Sequence, residues 1–261
     1  MLPTPDTSHV PYTRVYEPAE DSFLLLDTLS SPSETAFLSS RFSTTAGGCA
    51  PLIVEIGPGS GVVIAFLTAH AQTILGTQHV LTCGVDVNRF ACAATGRTAA
   101  KAVAETMAND DGSGGGGGAG WFLDAVQGDL VAPLRDGVVD VLVFNPPYVP
   151  TDELPVPVAG GAERGTTTTF EEESHLLALS YAGGRDGMET TDRLLAALPT
   201  ALSARGCAYV LLCAQNRPEE VKERIRATGG GWKAETVGTS GKQAGWEKLQ
   251  IIRIWRATHD A

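Results

Sequence analysis

Leu52-Ile53-Val54-Glu55-Ile56 passes directly into Gly57-Pro58-Gly59-Ser60-Gly61 and then into the apolar segment Val62 to Ala71. A five-residue apolar run bounded by glycines reads as a buried strand, and the longer apolar segment behind it as a helix. Three glycines in five residues allow the sharp reversal that a strand-to-helix turn demands. The unit recurs downstream. Val80 to Val87 reads as a second strand with Asp86 at its end, and Phe90 to Ala104 as an alanine-rich helix. Trp121 to Gln127 is a third strand, and Val138 to Phe144 a fourth, apolar but for Asp140. Thr190 to Ser203 reads as a helix, Ala208 to Ala214 as a fifth strand and Pro218 to Ala227 as a helix. Trp232 to Val237 and Lys248 to Trp255 form a closing strand pair. Strands alternating with helices predict an α/β fold with a mainly parallel sheet. Such sheets bind ligands beyond the carboxyl ends of their strands. Every unusual cluster in this chain falls at such an end: 55–61, 86, 129 and 145–148.

The rest of the chain organises around that frame. Asp21 to Leu29 carries an apolar helical stripe, and the Ser/Thr-rich residues 30–50 read as loop with at most one helical turn. Residues 1–15 form an N-terminal arm, 16–256 a single domain and 257–261 a tail. Two flexible inserts are expected, at about 108–120, with five consecutive glycines at 114–118, and at about 152–173, within a Pro/Gly/Thr-rich stretch from Val149 to Glu173.

Composition narrows the function. With 261 residues, 43% hydrophobic and 19% charged, the chain can bury a core and is no disordered tract. No apolar run reaches the roughly 18–20 residues of a membrane span, and the start lacks the basic and apolar regions of a secretory signal. The net charge is −11, from 19 Lys and Arg against 30 Asp and Glu. A duplex-DNA binder needs a basic stripe to neutralise phosphates, and none is present, so a protein partner is the better expectation. Five cysteines, an odd number without Cys-x-x-Cys, read as free thiols in a reducing cytosol. The five histidines are scattered, and no metal site is expected.

Four motifs carry chemistry. The glycine turn has the spacing G-x-G-x-G, not the G-x-G-x-x-G of a dinucleotide loop, and no Walker Gly-Lys-Ser/Thr follows. Alone its signal is moderate, and the alternative is a plain tight turn without ligand. Asp86 stands 25 residues after Gly61, where a carboxylate can accept hydrogen bonds from ribose hydroxyls. The alternative is an N-cap for the next helix, which Asn88 can also supply. Gly128-Asp129-Leu130 suits an adenine, the carboxylate accepting from the amine and the leucine packing on the ring, or it is a surface turn. Asn145-Pro146-Pro147-Tyr148 is the sharpest signal. Neither proline donates a hydrogen bond, so a rigid turn with outward carbonyls follows the strand. The Asn side-chain oxygen and a proline carbonyl can accept both hydrogens of a planar NH₂ group, beside a stacking Tyr ring.

Together, the glycine turn, Asp86, Asp129 and N-P-P-Y resemble a class I S-adenosylmethionine-dependent methyltransferase of the amino-methylating group. The segment from Val15 to Asp27, VYEPAEDSFLLLD, resembles the N-terminal signature of the eukaryotic and archaeal HemK-like branch. Phe144-Asn145-Pro146-Pro147-Tyr148-Val149-Pro150-Thr151, Ala182-Gly183-Gly184-Arg185-Asp186-Gly187 and Gly245-Trp246-Glu247-Lys248-Leu249 match the same branch. The likeness spans about residues 12 to 256, and departs from it in the glycine insert and in the long loop with Thr166 to Thr169. It implies a Rossmann-like class I methyltransferase fold, a mostly parallel seven-stranded sheet with a closing antiparallel strand. It implies that Ser22 contacts the methionine end of S-adenosylmethionine, Glu55 and Gly57 line the turn around it, Asp86 binds the ribose, and Asp129 and Leu130 hold the adenine. Tyr16, Gly59 and Gly61 complete the cofactor-binding set. Asn145, which touches cofactor and substrate, stands with Pro146, Pro147 and Tyr148 as the catalytic set. The implied reaction is methylation of the side-chain amide of a glutamine in a Gly-Gly-Gln motif of the translation termination factor. Adenine N6 methylation of nucleic acid and lysine methylation are the alternatives, a non-catalytic binding module a more remote one. The resemblance also implies a small zinc-binding activator subunit and a cytoplasmic location, with the nucleus a second place. In the usual strand order of this fold the third strand lies at a sheet edge, and Trp121 to Gln127, mostly apolar and without Lys, Arg or Pro, is an unprotected edge open to such a partner.

Overall fold

Short apolar runs that are buried on both faces belong to the middle of a parallel sheet, and β1 (Leu52–Ile56) and β4 (Val139–Phe144) lie there side by side. The computed structural model describes residues 2–43, 49–109, 118–156, 169–241 and 248–257. Seven strands form one sheet in the order β3-β2-β1-β4-β5-β7-β6. The others are β2 (Leu81–Asp86), β3 (Trp121–Gln127), β5 (Leu202–Cys213), β6 (Trp232–Thr239) and β7 (Leu249–Arg256). All neighbours pair in parallel except β7, which runs antiparallel to both β5 and β6. This is the class I arrangement expected above.

Alternation along β4 sorts the core into two layers. Val141 and Val143 pack with α1 (Glu20–Leu29), α2 (Pro32–Phe42), α3 (Val62–Ala69) and α4 (Ala71–Leu75). Leu142 and Phe144 face the opposite layer, with α7 (Glu189–Ala201) and α8 (Pro218–Ala227). Asp140, the polar exception in β4, is buried at the end of the sheet away from the motifs. Its carboxylate accepts from Arg205 Nε at 2.9 Å, Ser203 Oγ at 2.7 Å and the Leu52 amide at 3.0 Å. A buried charge so fully partnered is structural.

Four readings of the sequence need correcting. The loop expected over 30–50 contains the three-turn helix α2. Ser31 caps it by accepting from the Glu34 amide, Pro32 opens it, and Leu38 and Phe42 are buried. Its buried Glu34 accepts from Arg253 and from Tyr209 Oη, so β5 and β7, far along the chain, hold the helix down. The irregular stretch expected to run to Glu173 ends at α6 (Phe170–Tyr181), which starts with a reciprocal Thr169–Glu172 capping box. The helix expected over Val62 to Ala71 is broken at His70 between α3 and α4, and that over Phe90 to Ala104 is the longer α5 (Arg89–Ala108). The glycines at 114–117, most of the 152–173 insert, Gly245-Trp246-Glu247 and the end of the tail lie outside the described residues. Within residues 2–15, Val10 and Val15 are buried against Ala91 and Ala94 of α5.

Candidate active site

Register brings the motifs together. Ile56 pairs with Val85 on one side and Phe144 on the other, so Gly57, Asp86 and Asn145 leave three adjacent strands at the same level. Gln127 pairs with Asp86, which sets Gly128-Asp129 beside them. A cavity of about 220 Å³ opens there, walled by Tyr16, Ser22, Glu55, Gly57, Gly59, Asp86, Asp129, Leu130 and Asn145 to Tyr148. Gly61 stands apart from that wall. With φ 80° it ends the turn and lets α3 approach α5, where a Cβ would come within 2.6 Å of Thr95 Cα.

At the glycine turn the polar groups are interlocked. Asp86 accepts from the Gly59 amide at 3.2 Å and the Asn88 amide at 2.8 Å. The helix after it is capped by Asn88, whose Oδ1 accepts from Phe90 N at 2.9 Å, so capping does not explain Asp86. Glu55, buried, accepts from the Ile64 amide at 2.8 Å. Burial raises the Asp86 carboxyl from its ordinary 3.8 to about 6, against the two amides that favour its charge. Burial, and after it the Asp86 charge, push Glu55 well above the usual carboxylate range. Gly57 has φ 62°, and a Cβ there would meet nothing within 4 Å, so the turn faces open space.

Asp129 is more exposed and is engaged by Arg193 of α7. The next residue, Leu130, holds φ 50°, a left-handed conformation unusual for a branched side chain. Such strain concentrates where a site shapes its backbone.

Asn145 is set by a residue to which the sequence motifs gave no role. Asp21, buried in the first turn of α1, accepts from Asn145 Nδ2 at 3.0 Å. It also accepts from Tyr16 Oη at 3.1 Å, the Ser22 amide at 2.6 Å and Ser22 Oγ at 3.2 Å. A carboxylate can only accept from Asn145, so the amide is fixed with its NH₂ toward Asp21. Its Oδ1 is buried and has no hydrogen-bond partner among the described residues. A buried acceptor left unpaired costs free energy, and here it belongs to a residue of the cavity wall. The signal in the sequence was an acid on the buried face of an apolar helix, with Leu25 and Leu29.

No family model matches the chain. It is 32% identical to "Methyltransferase HEMK2" of Homo sapiens over 259 residues, covering 97% of each chain. It is 32% identical to "eRF1 methyltransferase catalytic subunit mtq2" of Schizosaccharomyces pombe over 259 residues, covering 98% of this chain and 96% of that one. Among solved structures, the human METTL16 catalytic domain in complex with an RNA hairpin superposes with a TM-score of 0.54 at 14% identity. That match covers 96% of this chain and 74% of that one, and is a likeness of fold alone.

Proposed function

The chain belongs to the HemK-like class I methyltransferases of the eukaryotic branch, and on that premise we propose that it methylates the side-chain amide of a glutamine in the class 1 translation termination factor, with S-adenosylmethionine as methyl donor. The observation that carries the reading is the unpaired, buried Oδ1 of Asn145, a residue of the cavity wall whose amide is fixed by Asp21. A planar NH₂ is the group such an acceptor takes.

The residues suit the donor. S-adenosylmethionine supplies, when bound, a methyl made electrophilic by its sulfonium. Glu55 and Asp86 are buried acidic side chains in the wall that would receive this molecule, with Asp86 toward the ribose, Glu55, Gly57, Gly59, Tyr16 and Ser22 around the amino-acid end, and Asp129 and Leu130 at the adenine. An amide nitrogen is a poor nucleophile because its lone pair is delocalised. Asn145 Oδ1 and the Pro146 carbonyl accept its two hydrogens and hold it against the methyl. As positive charge develops on that nitrogen, acceptors already in place stabilise it without reorganisation. Positioning supplies the rest. The proton leaves after transfer, so no dedicated base is required.

The direct test is label transfer from S-adenosylmethionine to the termination factor, to its variant without the motif glutamine, and to DNA. Label on the factor that vanishes with the glutamine is expected. Label on DNA, or on both forms of the factor, overturns the reading.

Cofactor binding carries a pH signature. With a carboxyl near 6, the ionised fraction of Asp86 falls roughly tenfold from pH 8 to pH 5, and affinity for S-adenosylmethionine falls with it. Because the folded value lies above the ordinary one, the folded chain takes up this proton first. Acidification from pH 7 toward pH 4 therefore stabilises the fold through Asp86, and the lost affinity is not unfolding. Asp86→Ala weakens binding by about 1–3 kcal/mol. Titration calorimetry giving one dissociation constant at both pH values, or for both proteins, removes Asp86 from the site.

We also propose that β3 seats a small zinc-binding activator subunit, in the cytoplasm. It is one of the two edge strands of the sheet, and Trp121, Leu123 and Val126 are 66%, 57% and 44% exposed. An uncovered apolar edge is a template for strand addition. A register shift between Thr82 and Gly84 of β2 interrupts the alternation, so Phe122 and Ala125 are half-buried against the chain's own core while Leu123 points outward. Leu123→Lys is accordingly expected to abolish co-purification with the activator and leave the N-P-P-Y site untouched. A chain that is monodisperse and fully active without the activator refutes the claim.

A further inference from the structure

Two prolines leave the Asn145–Tyr148 turn short of backbone donors, so something outside it must hold its carbonyls. The motif from Ala182 to Gly187 lies against it. A Cβ on Gly183 would come within 2.3 Å of the Pro147 carbonyl oxygen, and one on Gly187 within 2.0 Å of the Tyr148 carbonyl oxygen. Only glycine fits at either position. Behind both sits Asn216, in the turn that follows β5 and 2% exposed. Its Nδ2 donates to the carbonyls of Tyr148 at 3.1 Å, Asp186 at 2.9 Å and Gly187 at 3.4 Å. Its Oδ1 accepts from the Cys213 amide at 2.8 Å. Cys213 Sγ also faces the Tyr148 carbonyl, at 4.0 Å.

The flanking backbone is strained in the same place. Asp186 and Arg217 hold φ 56° and 51°, left-handed values for residues that carry a Cβ. Such conformations persist where surrounding contacts over-determine them, and they gather at functional sites. Asn216 is not in the wall of the cavity that holds Asn145; it lines a separate cleft behind it, with Arg185 and Arg217.

We propose that Asn216 is a positioning residue for methyl transfer. It joins the end of β5, the Gly183–Gly187 turn and the Tyr148 carbonyl through one amide, and so fixes the aromatic end of the turn that receives the substrate side chain. It touches neither substrate nor cofactor. The proposal rests on the glutamine reading above and adds to it the part of the fold that sets the acceptor turn.

Asn216→Asp keeps the oxygen that accepts from Cys213 and loses the donors to the three carbonyls; Asn216→Ala loses both. The full chain is assayed in the preparation that is active, with rates normalised to cofactor sites titrated in the same sample, so that an unfolded fraction drops out. Both variants are expected to lose at least tenfold in kcat/KM for the glutamine substrate, with a raised KM and an S-adenosylmethionine dissociation constant within twofold of wild type. If the Asp variant does not fold, Asn216→Ser, whose hydroxyl is too short to reach Tyr148, is read in the same way. Wild-type kcat/KM in Asn216→Asp, with loss only in Asn216→Ala, assigns Asn216 to the Cys213 contact alone and overturns the proposal. Equal losses of cofactor affinity and activity overturn it too. An inactive wild-type chain overturns the glutamine reading itself, a different result from an active wild type with unaffected variants.

Discussion

Asn145→Ala lowers kcat for methyl transfer by about 10²–10³, the loss seen when one preorganised group that meets developing charge is removed. Cofactor affinity and the fold are expected to change little. The lost atom is an acceptor that has no partner among the described residues of the resting protein, and Asp21 keeps its bonds from Tyr16 and Ser22 when Asn145 is shortened. The effect therefore belongs to the transition state and appears in kcat more than in KM. Single-turnover rates at saturating cofactor and substrate check it. A folded Asn145→Ala protein with near-normal turnover would sink the mechanism.

Asp21→Asn is the second large effect, expected at about 10–10² in kcat. The change is close to isosteric, yet it removes what fixes the Asn145 amide. An amide at position 21 can donate as well as accept. Asn145 is then free to turn its NH₂ toward the cavity, where it meets the substrate NH₂ donor to donor. The negative charge beside the developing positive nitrogen is lost as well. Thermal unfolding near the wild-type temperature, together with the fall in kcat, separates this effect from a damaged fold. Unchanged turnover in Asp21→Asn shows that the Asn145 amide is oriented by something else.

The strand ends were legible because parallel strands are apolar on both faces and stop at residues that cannot continue them. Leu52–Ile56 and Trp121–Gln127 match the reading at both ends, and the glycines, Asp86, Asp129 and Asn145 stand at or just beyond strand ends; β5 does not match, since it begins at Leu202 rather than Ala208 and takes in Ser203, read as the end of a helix. What was hidden depends on partners remote in sequence. The helix Pro32–Phe42 is rich in Ser and Thr and looks like loop. Its stability comes from Leu38 and Phe42 in the core and from Glu34 meeting Arg253, 219 positions away. Asp21 and Asn216 are ordinary polar residues until Asn145 and Tyr148, 124 and 68 positions away, are brought to them. Gly61 was legible as part of a motif, but spacing alone could not say that it serves helix packing. The half-buried state of Phe122 likewise follows from a register shift that no pattern of apolar residues announces.

The sheet order has a consequence for how the chain is made. Among the described residues the strand synthesised after all the others, β7, does not join an edge; it inserts between β5 and β6. Until it emerges, β6 has no neighbour in the sheet, β5 presents a bare flank of fully buried residues, and Glu34 lacks the guanidinium that neutralises it. A message cut short near codon 240 thus costs two strands and an ion pair, not a dispensable tail. Synthesis past Arg256 is therefore required before the sheet can close, and a product that stops short of β7 leaves the buried flank of β5 uncovered.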